Sequence, residues 1–175
     1  MPNTFHPVVP VVLVNPDAPM PTYAHEGDAA MDLCSMEDVT LAPGETVTVG
    51  TGIAMAIPAG YAGYVYARSG TGKRGLVMAN SVGVIDSTYR GEIHLILHNN
   101  LPTHIVRRIK GPIFGTTITD VVPNEEGFIH VRKGDRVGQI VIDTVCRAMT
   151  VEVSGLDETE RGTRGLGSTG VRGRL

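Results

Sequence analysis

Five short stretches of this 175-residue chain gather the side chains that do chemistry: "AAMDL" (29–33), "ARSGTGKRG" (67–75), "GVIDSTYRGEI" (83–93), "GDRVGQ" (134–139) and "RGTRGLGSTG" (161–170). Each is glycine-rich or turn-like, and each presents an acid, an arginine or a hydroxyl. Together they supply carboxylates for a metal or a base, and several anion donors: guanidinium groups, hydroxyls and glycine N–H groups. That inventory suits a phosphorylated substrate. It suits acyl transfer poorly, because no nucleophile elbow with Ser, His and Asp is present. "GTGKRG" is no P-loop either, since it lacks the GK[ST] ending and follows no βα pattern. A zinc nucleobase deaminase would need H-x-E and P-C-x-x-C, and neither occurs. The 83–93 stretch asks most. A turn needs only its glycines, so Asp86 and Tyr89 need another reason to be there.

The elements that must position these residues read as strands. "TVTVGTGIAMAI" (46–57) puts Val47, Val49, Ile53, Met55 and Ile57 on one face at period two. "YAGYVYA" (61–67), "EIHLILHN" (92–99), "GFIHVRKG" (127–134), "RVGQIVIDTV" (136–145) and "AMTVEV" (148–153) carry strand patterns as well. Turn residues separate them at 42–45, 57–60 and 123–127, and a short helical stretch is expected near 71–80. The fold class is therefore all-β, a barrel or jelly-roll-like sandwich.

The whole chain sets wider bounds. Its length suits one domain with a real core. A net charge of −3 provides no broad basic face, which argues against nucleic acid as a partner. No apolar run reaches the roughly 18 residues of a membrane helix. The N-terminus lacks a basic n-region and prolines interrupt its apolar run, so it is not a signal peptide. Cys34 and Cys146 are too few for a disulfide framework, and free thiols point to a reducing cytoplasm. The six histidines show no ligand spacing beyond His94 and His98, about 13 Å apart on a strand, so they read as solvated or rim residues. Residues 157–175 are rich in glycine and arginine and poor in apolar content, so they cannot bury enough surface to fold alone. They read either as a disordered tail or as a segment that orders over a phosphate.

In order and spacing, the five stretches resemble the five motifs of the homotrimeric dUTPase family, from about residue 20 to 170, and "GVIDSTYRGE" is the most specific of them. The resemblance implies a jelly-roll-like barrel over 1–156, a homotrimer with shared sites, and a flexible arm over 157–175. It implies hydrolysis of dUTP to dUMP and pyrophosphate with Mg2+. Asp86 matches the acid that orients and deprotonates water. Tyr89 matches the ring under the deoxyribose that excludes a 2′-hydroxyl. Gly83, Val84, Ile85 and Ile93 belong to the hairpin pocket whose backbone reads uracil, and Asn80 matches a base-binding position. Asp32 matches the acid that holds magnesium through water. Arg68, Ser69 and Gly70 match the phosphate cradle, with Ser69 near the α–β bridging oxygen, and Gln139 matches a phosphate-contacting amide. Arg161, Leu166, Gly167, Ser168 and Thr169 match the arm that closes over base and γ-phosphate. The resemblance further implies that each site takes the first, second and fourth motifs from one subunit, the third from another and the arm from the last.

The chain departs from that pattern at three places. Ala30 and Ala67 replace a glycine and a proline. Leu166 stands where the family places an aromatic ring, and base–aromatic stacking is worth about 1–3 kcal/mol per base. The 53 residues from Asp86 to Gln139 exceed the common spacing, and the excess falls in 102–128, read as an ordered hairpin excursion. An added regulatory role, with a protein partner held by this excursion, is the alternative. A dCTP deaminase shares the fold, but "HLILHNN" (94–100) lacks the glutamate base such an enzyme places there.

Overall fold

The computed structural model describes residues 7–110 and 117–165. Its strands are β1 (Val11–Leu13), β2 (Met31–Cys34), β3 (Val39–Leu41), β4 (Thr46–Met55), β5 (Tyr61–Ala67), β6 (Leu76–Met78), β7 (Gly83–Ile85), β8 (Glu92–Asn99), β9 (His104–Lys110), β10 (Thr117–Pro123), β11 (Ile129–Val131) and β12 (Arg136–Thr144). One short helix, α1 (Ser69–Lys73), follows β5. Two four-stranded sheets dominate, with strand orders β1-β4-β8-β6 and β2-β12-β5-β7, and every pairing in them is antiparallel. The pairs β3–β11 and β9–β10 form two small sheets. The all-β expectation holds.

Period-two patterning explains the core. In β8, Ile93, Leu95, Leu97 and Asn99 are buried while His94 is exposed, so one face of the strand points inward. Leu33 of β2, Val65 of β5 and Ile140 of β12 meet Val49, Ile53, Leu95 and Leu97 in a single cluster fed by both large sheets. Asn99 is the polar exception. It is fully buried, its Nδ2 donates to the carbonyls of Leu41 (3.0 Å) and Gly127 (2.8 Å), and its Oδ1 accepts from the Leu101 N–H at 3.1 Å. One side chain thereby ties β3, β8 and the approach to β11 together.

Several elements differ from the sequence expectation. In β4, residues 49–55 are all buried, where strict alternation would expose every second residue. The pairing of β4 with β8 shifts register between Gly50 and Ala54, and the Glu37 and Glu92 carboxylates accept the N–H groups of Gly50 and Gly52. Carboxylates cover there what a strand would otherwise pair. The expected helix near 71–80 shrinks to α1. Gly75, at φ +88°, ends it, and β6 then takes Leu76 and Met78 inward. The expected strand at 127–134 shortens to β11 because Lys133–Asp135 form a turn, with Gly134 N–H on the Ser35 carbonyl. Residues 148–153 form no strand: β12 ends at Thr144, and Met149, Val151 and Val153 are exposed.

The excess residues between the third and fourth motifs form the β9–β10 hairpin, in continuous register from Lys110↔Thr117 to His104↔Pro123. Its base is closed by Asn124, whose N–H donates to Thr103 O and whose Nδ2 donates to Pro102 O, both at 2.9 Å. Among the described residues no helix is long and apolar enough to cross a membrane.

Candidate active site

The polar half of the site hangs on β12, the strand between β2 and β5. Gln139 faces Asp32 across one ladder and Tyr66 across the other, so register alone brings the first, second and fourth motifs together. Gln139 Nε2 donates to the Ala67 carbonyl at 3.0 Å. That contact fixes the chain just before Arg68, which caps α1, and Ser69 and Gly70 open the helix. Asp32 is clamped between two guanidinium groups: Arg68 Nε lies 2.8 Å from Oδ1 and Arg136 Nη1 lies 3.0 Å from Oδ2. Arg68 Nη1 also donates to the Arg136 carbonyl at 3.1 Å, so the three side chains form one connected unit. They open onto a cavity of about 700 Å³ whose wall includes Asp32, Arg68, Ser69, Gly70, Arg136 and Gln139. Its size and its donors suit a polyphosphate.

Cys34 sits two residues from Asp32 on the same strand. Burial pushes its thiol up from the usual range, and the Asp32 charge adds to the rise.

The third motif lies elsewhere. β7 pairs with β5 through Gly83↔Val65, Tyr64↔Val84 and Gly63↔Ile85, which leaves Val84 exposed and carries Asp86 to the strand's end. A turn follows, in which the Tyr89 N–H donates to the Asp86 carbonyl at 3.0 Å. The Tyr89 hydroxyl then donates to the Glu92 carbonyl at 2.9 Å. Gly91 makes this possible: a Cβ there would meet the Tyr89 hydroxyl at 2.5 Å and its Cζ at 2.7 Å. Val84, Ile85, Asp86, Tyr89 and Ile93 line a second cavity of about 260 Å³. Gly83 is buried beneath it, with the Asn80 amide 3.4 Å from where its Cβ would stand. The turn that carries Asn80 holds Ser81 at φ +62°, a conformation that costs of order 1–3 kcal/mol in a residue with a side chain.

The two cavities share no lining residue. Asp32, Arg68, Ser69, Gly70 and Gln139 converge on one; Val84, Ile85, Asp86, Tyr89 and Ile93 converge on the other, and Gly83 and Asn80 line neither. Arg161 joins neither: its Nε donates to the Arg164 carbonyl within an exposed turn. Leu166, Gly167, Ser168 and Thr169 lie outside the described residues. Sequence reasoning missed Arg136, although "GDRVGQ" contains it, because only the β12–β2 register aims it at Asp32. It also missed His94 and Glu92 as neighbours of Tyr89.

The family model described as dUTPase matches residues 16–108. A deoxyuridine 5′-triphosphate nucleotidohydrolase of Nocardia farcinica is 43% identical over 168 residues, covering 95% of this chain and 88% of that protein. That of Thermobifida fusca is 44% identical over 158 residues, 90% and 75% of the two lengths. Among solved structures, a dUTPase of Staphylococcus bacteriophage 80alpha with dUPNHPP superposes with a TM-score of 0.76 at 28% identity, covering 94% of this chain and 99% of that one. A dUTPase from phage phi11 of S. aureus, described with a species-specific insert, superposes at 0.70 and 27% identity, covering 87% and 100%. With relatives at this identity over nearly its whole length, this chain belongs to the dUTPase family.

Proposed function

We propose that the chain hydrolyses dUTP to dUMP and pyrophosphate at a site assembled between copies of itself. The observation that carries this reading is the separation of the two cavities. The larger holds the donors for a triphosphate, the smaller a ring and an acid, and neither is a complete site alone. A symmetric trimer of jelly-roll-like domains (1–156) brings the hairpin of one copy over the cradle of the next, with the 157–175 arm closing from another. The exposed apolar side chains of Met149, Val151, Val153 and Leu156 support such an assembly, since the described residues of their own chain leave them uncovered.

In the assembled site Asp86 removes a proton from water, whose oxygen attacks the α-phosphorus. The α–β bridging P–O bond breaks and pyrophosphate leaves in line. Asp86 as general base supplies about 10²- to 10⁴-fold. Charge on the departing phosphates is met by Arg68 and Arg136, already fixed by the Asp32 clamp, and by Ser69. Mg2+ fits this donor set through its water shell. Each Asp32 oxygen has a lone pair left beyond its guanidinium bond, and among the described residues no cluster of three or more His, Cys, Asp and Glu offers a direct cage. Bound with the phosphates, the ion neutralises their charge. Tyr89 packs under the deoxyribose and rejects a 2′-hydroxyl, and the backbone of 83–85 reads uracil. Two unbridged thiols, Cys34 and Cys146, support a cytoplasmic setting.

The test separates chemistry from assembly. Asp86→Asn is expected to keep dUTP binding and lose at least about a hundredfold in pyrophosphate release. When it is refolded in equal parts with Arg68→Met, itself inactive, about a quarter of the sites regain both intact halves. Activity that never returns on mixing places both halves on one chain and overturns the shared-site reading. Loss of binding with Asp86→Asn overturns the base assignment.

A further inference from the structure

The Tyr89 ring is fastened by few contacts. It is 43% exposed, it belongs to a loop (86–91) outside any strand, and among the described residues its hydroxyl has one hydrogen-bond partner, the Glu92 carbonyl. Where the ring lies therefore depends on how firmly that carbonyl is held.

Glu92 is held from several directions. Its Oε1 accepts the Gly52 N–H at 2.7 Å, which anchors the side chain to the irregular stretch of β4. Gly50 leaves the room: a Cβ at that position would stand 2.5 Å from the same oxygen. The Glu92 carbonyl has a second partner, His94 Nδ1, at 3.0 Å. A carbonyl only accepts, so Nδ1 carries a proton and donates. Tyr89 and His94 thus donate to one and the same oxygen. The His94 ring also places Nε2 3.9 Å from Glu92 Oε2 and lines the same cavity as Tyr89. One imidazole meets both the backbone and the carboxylate of the residue that fixes the sugar-facing ring.

We propose that His94 is a positioning residue for sugar selection, holding the Glu92 carbonyl so that Tyr89 stays where a 2′-hydroxyl would collide with it. The inference rests on reading Tyr89 as the deoxyribose platform. His94 touches no reacting atom in this scheme, and its effect reaches the substrate through Glu92 and Tyr89 alone. Removing it should leave turnover of dUTP intact and weaken the discrimination against UTP.

The experiment compares kcat and KM for dUTP and UTP in the full-length protein and four variants. His94→Phe keeps a ring of similar size and loses the donor. His94→Asn keeps a donor near the position of Nδ1, while His94→Gln moves it toward Nε2. Tyr89→Ala reports on the platform itself. The preference for dUTP over UTP is expected to fall about fivefold in His94→Phe and His94→Gln, the worth of one hydrogen bond, with kcat for dUTP unchanged and with recovery in His94→Asn. If Tyr89→Ala lowers the preference for dUTP while His94→Phe leaves it at the wild-type value, the role of His94 is refuted and that of Tyr89 stands. Equal losses in His94→Phe and His94→Asn would show that the donor is irrelevant and also refute it. If Tyr89→Ala still rejects UTP, the platform reading fails and the proposal fails with it.

Discussion

Replacing Asn99 by alanine tests whether the barrel is held by one buried amide as much as by its apolar filling. The side chain is completely buried, and it satisfies two carbonyls, Leu41 and Gly127, and one N–H, that of Leu101. Truncation removes all three hydrogen bonds in a region that water does not reach. A net hydrogen bond is worth about 1 kcal/mol and an orphaned buried group costs about 1–3 kcal/mol, so three such losses amount to roughly 3–5 kcal/mol. For a chain of this size, at about 2–4 °C per kcal/mol, the melting temperature should fall by about 10 °C. Scanning calorimetry at fixed protein concentration measures it. Asn99→Leu refills much of the space and restores none of the hydrogen bonds, so it should melt nearly as early as the alanine variant. Pyrophosphate release from dUTP at 25 °C should be unchanged in both, because Asn99 lines neither cavity of the site. A fall of less than about 2 °C for alanine, under the roughly 1 kcal/mol of a single lost bond, or recovery by leucine, would refute the argument and return the stability of this region to packing.

Two further outcomes follow from the same geometry. Iodoacetamide should alkylate the exposed Cys146 well before Cys34, and peptide mass spectrometry resolves the order. The thiolate is the reactive form, and burial, with Asp32 adding to it, raises the Cys34 pKa, so its alkylation should lag at neutral pH and catch up only as pH rises past the usual thiol range. Deleting residues 104–123 should spare dUTP hydrolysis, since Thr103 and Asn124 already meet at a 2.9 Å hydrogen bond and a short linker joins them; loss of activity or of the proposed trimer would show that β9–β10 is part of the catalytic assembly.

Legibility in the sequence followed the length and regularity of each element. β5, β8 and β12 are seven to nine residues long, and their alternation marks them within one residue of their ends. β2, β6 and β7 span three or four residues, too few for a period to show, and yet they carry or flank Asp32, Asn80 and Asp86. Their functional residues were found through motif resemblance, and their placement through pairing with longer neighbours. Residues 148–153 carry a strand pattern but pair with no strand among the described residues, so the pattern reports apolar content and not pairing. Arg136 and His94 stayed hidden for a related reason. Arg136 reads as a turn residue until the β12–β2 register brings it to Asp32, and His94 reads as a rim residue until its Nδ1 is seen on the Glu92 carbonyl. Asn99 inverts the rule, since it occupies a position that alternation assigns to an apolar side chain.

The shared row of Asp32, Gln139 and Tyr66 across β2, β12 and β5 sets an asymmetry in what this lineage can change. A hairpin of some twenty residues enters between Thr103 and Asn124 and leaves the row untouched. A single residue gained or lost in β12 between Gly138 and Ile140 would turn Gln139 to the opposite face of the sheet and carry it away from Asp32. The irregularity between Arg136 and Gly138 already sets the phase of that strand. Length variation among descendants should therefore crowd into the connection after β8 and be absent from a three-residue window of β12, whatever side chains drift around it.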